Sequence, residues 1–211
     1  MTFAKIAIAA AATLALSGVA QATGSSTGTF NVTIKITGTC NAVAVTSGQA
    51  AAISTDTPTL SGADINFGSH VAATGAAAIN GSNVGGATSS IAVNCSKNTP
   101  YTIAMSPTNV ASTVGLGTMN GITAGNLDTI TYQLYQPTIT GTGLTATVNN
   151  TASSNPWGNV TTGAGQNALG FTGKGLGVAS TVFPVFATVP AGSLDKFVDR
   201  YQDQVTVTLA W

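Results

Sequence analysis

The stretch Phe30-Asn31-Val32-Thr33-Ile34-Lys35-Ile36 alternates strictly between large apolar and polar side chains. Successive side chains of a β-strand point to opposite faces, so the alternation predicts a strand with one wholly apolar face. The apolar positions are Phe30, Val32, Ile34 and Ile36. Full burial of the four would contribute about 6 to 12 kcal/mol, at about 1.5 to 3 kcal/mol each. They must therefore be covered, either in the chain's own sheet or in the sheet of a neighbouring molecule.

The residues before this strand have the pattern of a secretory signal peptide. Lys5 precedes an uncharged apolar run over residues 6–16, and Ala20-Gln21-Ala22 supplies the small residues of a cleavage site. A run of about eleven residues is too short to cross a bilayer core of roughly 30 Å, which argues against the alternative of an uncleaved anchor. We predict a signal peptide over residues 1–22 and no membrane span after its cleavage. Residues 23–37 then form a separate N-terminal segment with a flexible Gly/Ser/Thr-rich start.

Short strand candidates separated by Gly, Pro, Asn and Ser follow along the rest of the chain. The candidates are residues 41–46, 64–67, 90–95, 101–105, 129–135, 144–148, 181–189 and 204–211. The last of these alternates up to Trp211, which predicts a core strand at the end of the sequence. Residues 149–165, around Trp157, are predicted to form a long loop. This pattern favours an all-β sandwich or barrel with antiparallel pairing, little helix and a single domain.

The composition restricts the function. The sequence has 211 residues, of which 44% are hydrophobic and only 6% charged, with six Lys and Arg against six acidic residues. A near-neutral chain lacks the long-range field that attracts polyanions, so nucleic acid is not an expected partner. The apolar fraction is high enough for a core to form.

Cys40 and Cys95 are the only cysteines. In an exported chain a single disulfide between them is the expected state. Closing a loop of about 55 residues would stabilise the fold by roughly 4 kcal/mol on the chain-entropy model. A metal site would need more ligands than two Cys and the lone His70, so we expect no metal and no cofactor.

The residue inventory also argues against an enzyme. A Ser-His-Asp triad would have to use His70, the only histidine in the sequence. The aspartates near the end of the chain, with Lys196 and Arg200 between them, are interpreted as a solvated, self-neutralising loop and not as a catalytic carboxylate pair. They are Asp195, Asp199 and Asp203. We expect no catalytic residues.

Single aromatic residues leave one binding alternative open. They could stack against sugar rings in an extracellular carbohydrate-binding module, although core packing is the more common fate of aromatics on strands. They are Tyr101, Tyr132, Tyr135 and Trp157.

Several blocks in fixed order resemble the spore coat protein U domain, the family that also forms the pilins of archaic (Csu-type) chaperone/usher fimbriae. They are residues 30–36 followed by Cys40, Ile65-Asn66-Phe67-Gly68, Ile91-Ala92-Val93-Asn94-Cys95, Thr131-Tyr132-Gln133-Leu134-Tyr135, Phe183-Pro184-Val185-Phe186 and residues 201–209. The chain departs from the family pattern at Ala187 and at Val198-Asp199-Arg200, where the family often has Gly. These departures are expected to alter local strand geometry and not the role.

The resemblance implies an incomplete immunoglobulin-like β-sandwich over residues 38–211, closed by a strand from another protein. The partners it implies are a periplasmic chaperone, an outer-membrane usher and further pilin subunits. By position, residues 30–36 are similar to the family's donor strand, and Cys40–Cys95 to its disulfide. The expected function is a structural subunit of a surface fimbria that supports adhesion and biofilm formation after export through the periplasm. A secreted spore or cell coat protein that needs no usher is the alternative within the family.

Overall fold

The computed structural model describes residues 27–45, 62–83 and 91–211. The predicted signal peptide, residues 1–22, lies outside the described residues. The chain divides into two units, residues 1–36 and residues 37–211. Of the first unit the structure describes residues 27–36, to which it assigns no strand. The fold described below is that of the second unit, which we call the body.

The body is built from β-strands, and the described residues include no α-helix. The strands are β1 (Ala44–Val45), β2 (Ile79–Ser82), β3 (Ile91–Val93), β4 (Pro100–Pro107), β5 (Leu116–Gly121), β6 (Thr129–Thr140), β7 (Thr147–Pro156), β8 (Leu169–Thr172), β9 (Thr181–Val182), β10 (Phe186–Val189), β11 (Tyr201–Gln202) and β12 (Val205–Ala210). One 3₁₀ turn, Gly143–Thr145, precedes β7. The predicted all-β class with little helix is confirmed.

The strands form three antiparallel sheets. One has the order β1-β3-β9, and a second has the order β12-β4-β8. The largest has the order β11-β5-β6-β10-β2, with β7 also paired to β6. All the pairings are antiparallel, as predicted.

All three sheets contribute to one hydrophobic core. Alternate residues of the central strands point inward, as the period of a half-buried strand requires. The largest fully buried side chains are Trp157, Phe183, Ile91, Ile103, Met105, Leu134, Leu169, Val93 and Val189. Tyr101, Phe171 and Phe183 contact one another with ring centroids 5.3 to 6.4 Å apart in tilted or edge-to-face arrangements. Such aromatic pairs stabilise the core beyond the area that they bury.

The predicted disulfide is confirmed. Cys40 and Cys95 are bonded, and their backbones also form an isolated antiparallel bridge. The backbone N–H of Ser96 donates to the carbonyl of Thr39 at 2.8 Å, and the hydroxyl of Ser96 accepts from the N–H of Thr39 at 2.9 Å. The chain is therefore held firmly at the point where it enters the body.

Three predictions of local structure were wrong. Residues 64–67 form no strand, and the candidate at residues 144–148 begins with the 3₁₀ turn. The long loop predicted over residues 149–165 is occupied for half its length by β7, and Trp157 at its centre is 0% exposed. β7 was missed because most of its side chains face solvent, so it carries no apolar alternation. The predicted strand candidates also omitted β2, β5, β8 and β11.

Candidate assembly surface

β12 has one open edge. Within the described residues it pairs only with β4, in register from Val205 opposite Pro107 to Ala210 opposite Thr102. Its exposure alternates between half-buried and exposed side chains along the strand. The half-buried positions are Val205, Val207 and Leu209. An edge strand with an incompletely covered apolar face presents unpaired N–H and C=O groups to any strand that approaches it.

An open groove of about 780 Å³ lies in the body beside this edge. Its apolar lining comes from β12, from the sheet interior and from the segment before β2. The apolar lining residues are Val45, Ala63, Ile65, Phe67, Ile91, Met105, Met119, Ile122, Leu134, Val185, Ala187, Val205 and Val207. We call this feature the apolar groove. It adjoins the half-buried side chains of Val205 and Val207 on β12.

The segment over residues 62–67 forms one wall of the apolar groove. The side chains of Ile65 and Phe67 lie against Gly81 of β2, where an added Cβ would come within 2.9 Å of both. Gly81 therefore lets this segment approach the sheet closely. The predicted strand at residues 64–67 is thus a half-buried wall of the groove and not a paired strand.

Tyr132 and Asp203 form a polar contact in the groove. The Tyr132 hydroxyl donates to a carboxylate oxygen of Asp203 at 2.8 Å. Burial, reinforced by the nearby Asp203 charge, raises the pKa of the Tyr132 phenol well above its usual range. An added Cβ at Gly117 would overlap the Tyr132 ring, so glycine is needed there to admit the ring. Tyr132 remains a neutral donor at physiological pH.

Asp199 joins two loops at one end of the body. Its carboxylate accepts from the side-chain amide of Asn126 at 2.7 Å, from the hydroxyl of Thr123 at 2.8 Å and from the Thr123 N–H at 2.9 Å. These bonds, with that of Asn126 the largest influence, lower the pKa of Asp199 to about 2. The interpretation of the aspartates as a solvated loop did not foresee that Asp199 and Asp203 also bond to neighbouring segments.

The four predicted donor side chains are exposed. Phe30, Val32, Ile34 and Ile36 are between 83% and 87% accessible to solvent. Leaving four large apolar groups in water forgoes the free energy of burial estimated from the sequence.

The aromatic candidates for sugar binding are mostly in the core. Tyr101, Tyr132 and Trp157 are buried, and Tyr135 is half-buried. The Trp157 indole N–H donates to the carbonyl of Ile103 at 2.9 Å. The aromatic platform considered from the sequence is therefore wrong.

The described residues that could act in catalysis or bind a metal are not grouped into a site. His70 is exposed, with its Nε2 atom 2.7 Å from the carbonyl oxygen of Phe67. Among the described residues, no three His, Cys, Asp or Glu side chains are grouped as a metal site would require. No helix in the described part of the chain has the length and apolar content to span a bilayer.

The body is an antiparallel, disulfide-bonded β-structure in which β12 has one unpaired edge among the described residues. A family model described as the Spore Coat Protein U domain matches residues 26–208. The chain therefore belongs to this family, whose members are exported structural pilin or coat proteins. No curated protein matches the chain significantly.

The groove itself was not foreseen from the sequence. Its lining is collected from segments far apart in the chain, and no motif marks them as neighbours. The available signal was the strict alternation of residues 205–211, which indicates a strand with one apolar face but not how much of that face is covered.

Proposed function

We propose that the chain is a structural subunit of a surface fimbria, assembled by the chaperone-usher pathway through donor-strand exchange and supporting adhesion and biofilm formation. The supporting observation is a complementary pair of features. Residues 30–36 carry four exposed apolar side chains on alternate positions, and the apolar groove lies beside an open strand edge. In this proposal, the segment of one subunit fills the groove of the next.

Residues 30–36 and β12 have similar lengths. Seven residues in a strand extend about 23 Å, and the six residues of β12 about 20 Å, at roughly 3.3 Å per residue. The added strand would pair with the free edge of β12 while its apolar face enters the groove. Backbone hydrogen bonds would give affinity, and the alternate side chains would give register.

Partners follow from the same surface. A periplasmic chaperone would cover the groove before assembly, and at an outer-membrane usher the donor segment of another subunit would replace it. Exchange proceeds without an external energy source if the subunit's strand fills the groove better than the chaperone's strand does. The family membership supports this pathway.

A pair of substitutions on opposite faces of the segment tests the proposal. Ile34→Asp places a charge on the face that enters the groove, and Thr33→Asp places the same charge on the other face. We expect the full chain without its signal peptide to form SDS-resistant polymers, Thr33→Asp to retain them and Ile34→Asp to remain monomeric. Size-exclusion chromatography and unheated gels give the readout. Equal polymerisation of both variants, or a wild-type chain that stays monomeric, would overturn donor-strand exchange and favour a coat protein that assembles by another surface.

A further inference from the structure

The two ends of the body carry opposite charge. We call residues 94–100 and 172–178 the basic pole, and residues 121–128 and 195–204 the acidic pole. The basic pole contains Lys97 and Lys174 and no Asp or Glu. At the acidic pole four aspartates stand against Lys196 and Arg200, a net charge of about −2 at neutral pH. The aspartates are Asp128, Asp195, Asp199 and Asp203.

Strand register places the two poles at opposite ends of the β12-β4-β8 sheet. Pro100 pairs with Thr172 at the basic end. Val205 pairs with Pro107 at the other end, where the N–H of Thr108 donates to the carbonyl of Gln204 at 2.8 Å. The poles are therefore separated by about the length of β12, roughly 20 Å.

Hydrogen bonds hold each pole together. At the basic pole the N–H of Asn98 donates to the carbonyl of Gly173 at 2.8 Å. At the acidic pole the N–H of Phe197 donates to a carboxylate oxygen of Asp128 at 2.7 Å, and the N–H of Ile122 donates to the carbonyl of Arg200 at 3.0 Å. In each pole, hydrogen bonds therefore hold the two chain segments together as one surface.

Both poles also expose apolar side chains. Leu127 and Val198 at the acidic pole are 92% and 87% exposed, and Phe197 beside them is exposed as well. Leu176 and Val178 are exposed at the basic pole. Apolar groups flanked by charge are typical of a surface that contacts another protein.

We propose that these poles meet in the fibre, so that the basic pole of each donor subunit docks on the acidic pole of the subunit whose groove it fills. This inference rests on the proposed function. A strand added antiparallel to β12, as all the strands described here pair, would place Ile36 near Val205 at the acidic pole of the acceptor. Only residues 37–39 separate Ile36 from Cys40 of the disulfide at the donor's basic pole, a reach of at most about 14 Å.

The charges also select the direction of the donor strand. A parallel strand would bring the donor's basic pole to the acceptor's basic pole, where like charges repel. The antiparallel direction brings opposite charges together and repeats the same contact from subunit to subunit. Such a heterologous contact extends a filament without closing it. Its electrostatic part is expected to act mainly on the rate of encounter.

Charge reversal in the full chain tests the contact. The double variant Lys97→Glu with Lys174→Glu is expected to polymerise about tenfold more slowly than the wild type at low salt, as measured by the initial rise of light scattering. At about 0.5 M salt the two rates should become similar, because salt screens the charges. Adding Asp195→Lys should recover part of the rate. Thr151→Glu with Ser154→Glu adds negative charge at exposed positions of β7 that belong to neither pole, and should change the rate less than twofold.

The outcomes separate this inference from the proposed function. If polymerisation depends on Ile34 but every charge variant matches the wild type at all salt concentrations, the pole contact is overturned and donor-strand exchange stands. If polymerisation does not depend on Ile34, donor-strand exchange fails and the contact between poles fails with it. A lasting defect at high salt, or no recovery with Asp195→Lys, also overturns the electrostatic contact.

Discussion

Residues 30–36 and β12 have the same alternation of apolar and polar side chains but different surroundings. β12 pairs with β4 along its whole length, and its apolar residues are half-buried. Residues 30–36 have no assigned strand, and their apolar side chains are at least 83% exposed. Alternation therefore defines which face of a strand must be covered, but it does not define which molecule supplies the cover. The following changes test which contacts stabilise the body and which residues of β12 bind an added strand.

Removal of the disulfide has the largest expected effect. Cys40→Ser with Cys95→Ser should lower the free energy of unfolding by about 4 kcal/mol, because the cross-link no longer restricts the unfolded chain. Denaturant unfolding at low protein concentration measures the change. Reduced wild-type protein is the control and should match the double variant. A loss below about 1 kcal/mol would mean that the hydrogen bonds around Thr39 hold this part of the chain without the disulfide.

Truncation of a groove residue on β12 has an intermediate expected effect. In a full chain carrying Ile34→Asp, whose own segment is unsuited as a donor, added peptide of residues 28–38 supplies the strand. Val207→Ala should weaken peptide binding about tenfold, since about 1.4 kcal/mol of apolar burial is lost. Calorimetry or fluorescence titration provides the affinity.

Thr208→Ala is the matched control, because Thr208 lies on the exposed face of the same strand. Its binding should remain within twofold of the parent chain. Equal weakening by both substitutions would mean that the peptide does not use the apolar groove.

Acidification gives the smallest expected effect and tests the loop before β12. Hydrogen bonds lower the pKa of Asp199 to about 2, below the value of about 3.9 in an unfolded chain. The carboxylate therefore stabilises the fold above about pH 4, and this contribution is lost as the pH falls from about 4 to 2. Thermal midpoints between pH 6 and pH 2 should decline less steeply in Asp199→Asn than in the wild type. Asp195→Asn, at an exposed position, is the matched control.

Strands with apolar alternation could be predicted from the sequence. The candidates at residues 101–105, 129–135 and 204–211 coincide with β4, β6 and β12, since large apolar side chains alternate along each of them. The disulfide also followed from the sequence, because two cysteines in an exported chain leave one pairing. The exposure of residues 30–36 could not be predicted, because the sequence is compatible with burial of these side chains either in the chain's own sheet or in the sheet of a neighbouring molecule.

Trp157 shows why the rest could not be predicted. It follows β7, whose Thr, Asn and Ser side chains mostly face solvent and have the composition of a loop. Its backbone N–H donates to the carbonyl of Leu134 on β6, and its indole reaches β4. This position between two sheets depends on tertiary contacts. β5 was missed for a related reason, since Gly117 interrupts its pattern where the Tyr132 ring needs space.

The free edge of β12 has a consequence for protein quality control. Edge strands of stable monomers commonly carry lysine, proline or a bulge that prevents aggregation, but the outward residues here are Thr206, Thr208 and Ala210. β12 is uncharged and rich in β-branched residues, a composition compatible with cross-β stacking. A subunit produced in excess of the protein that pairs with this edge is therefore expected to accumulate as insoluble material. The yield of soluble subunit in the cell would then depend on the amount of that binding protein.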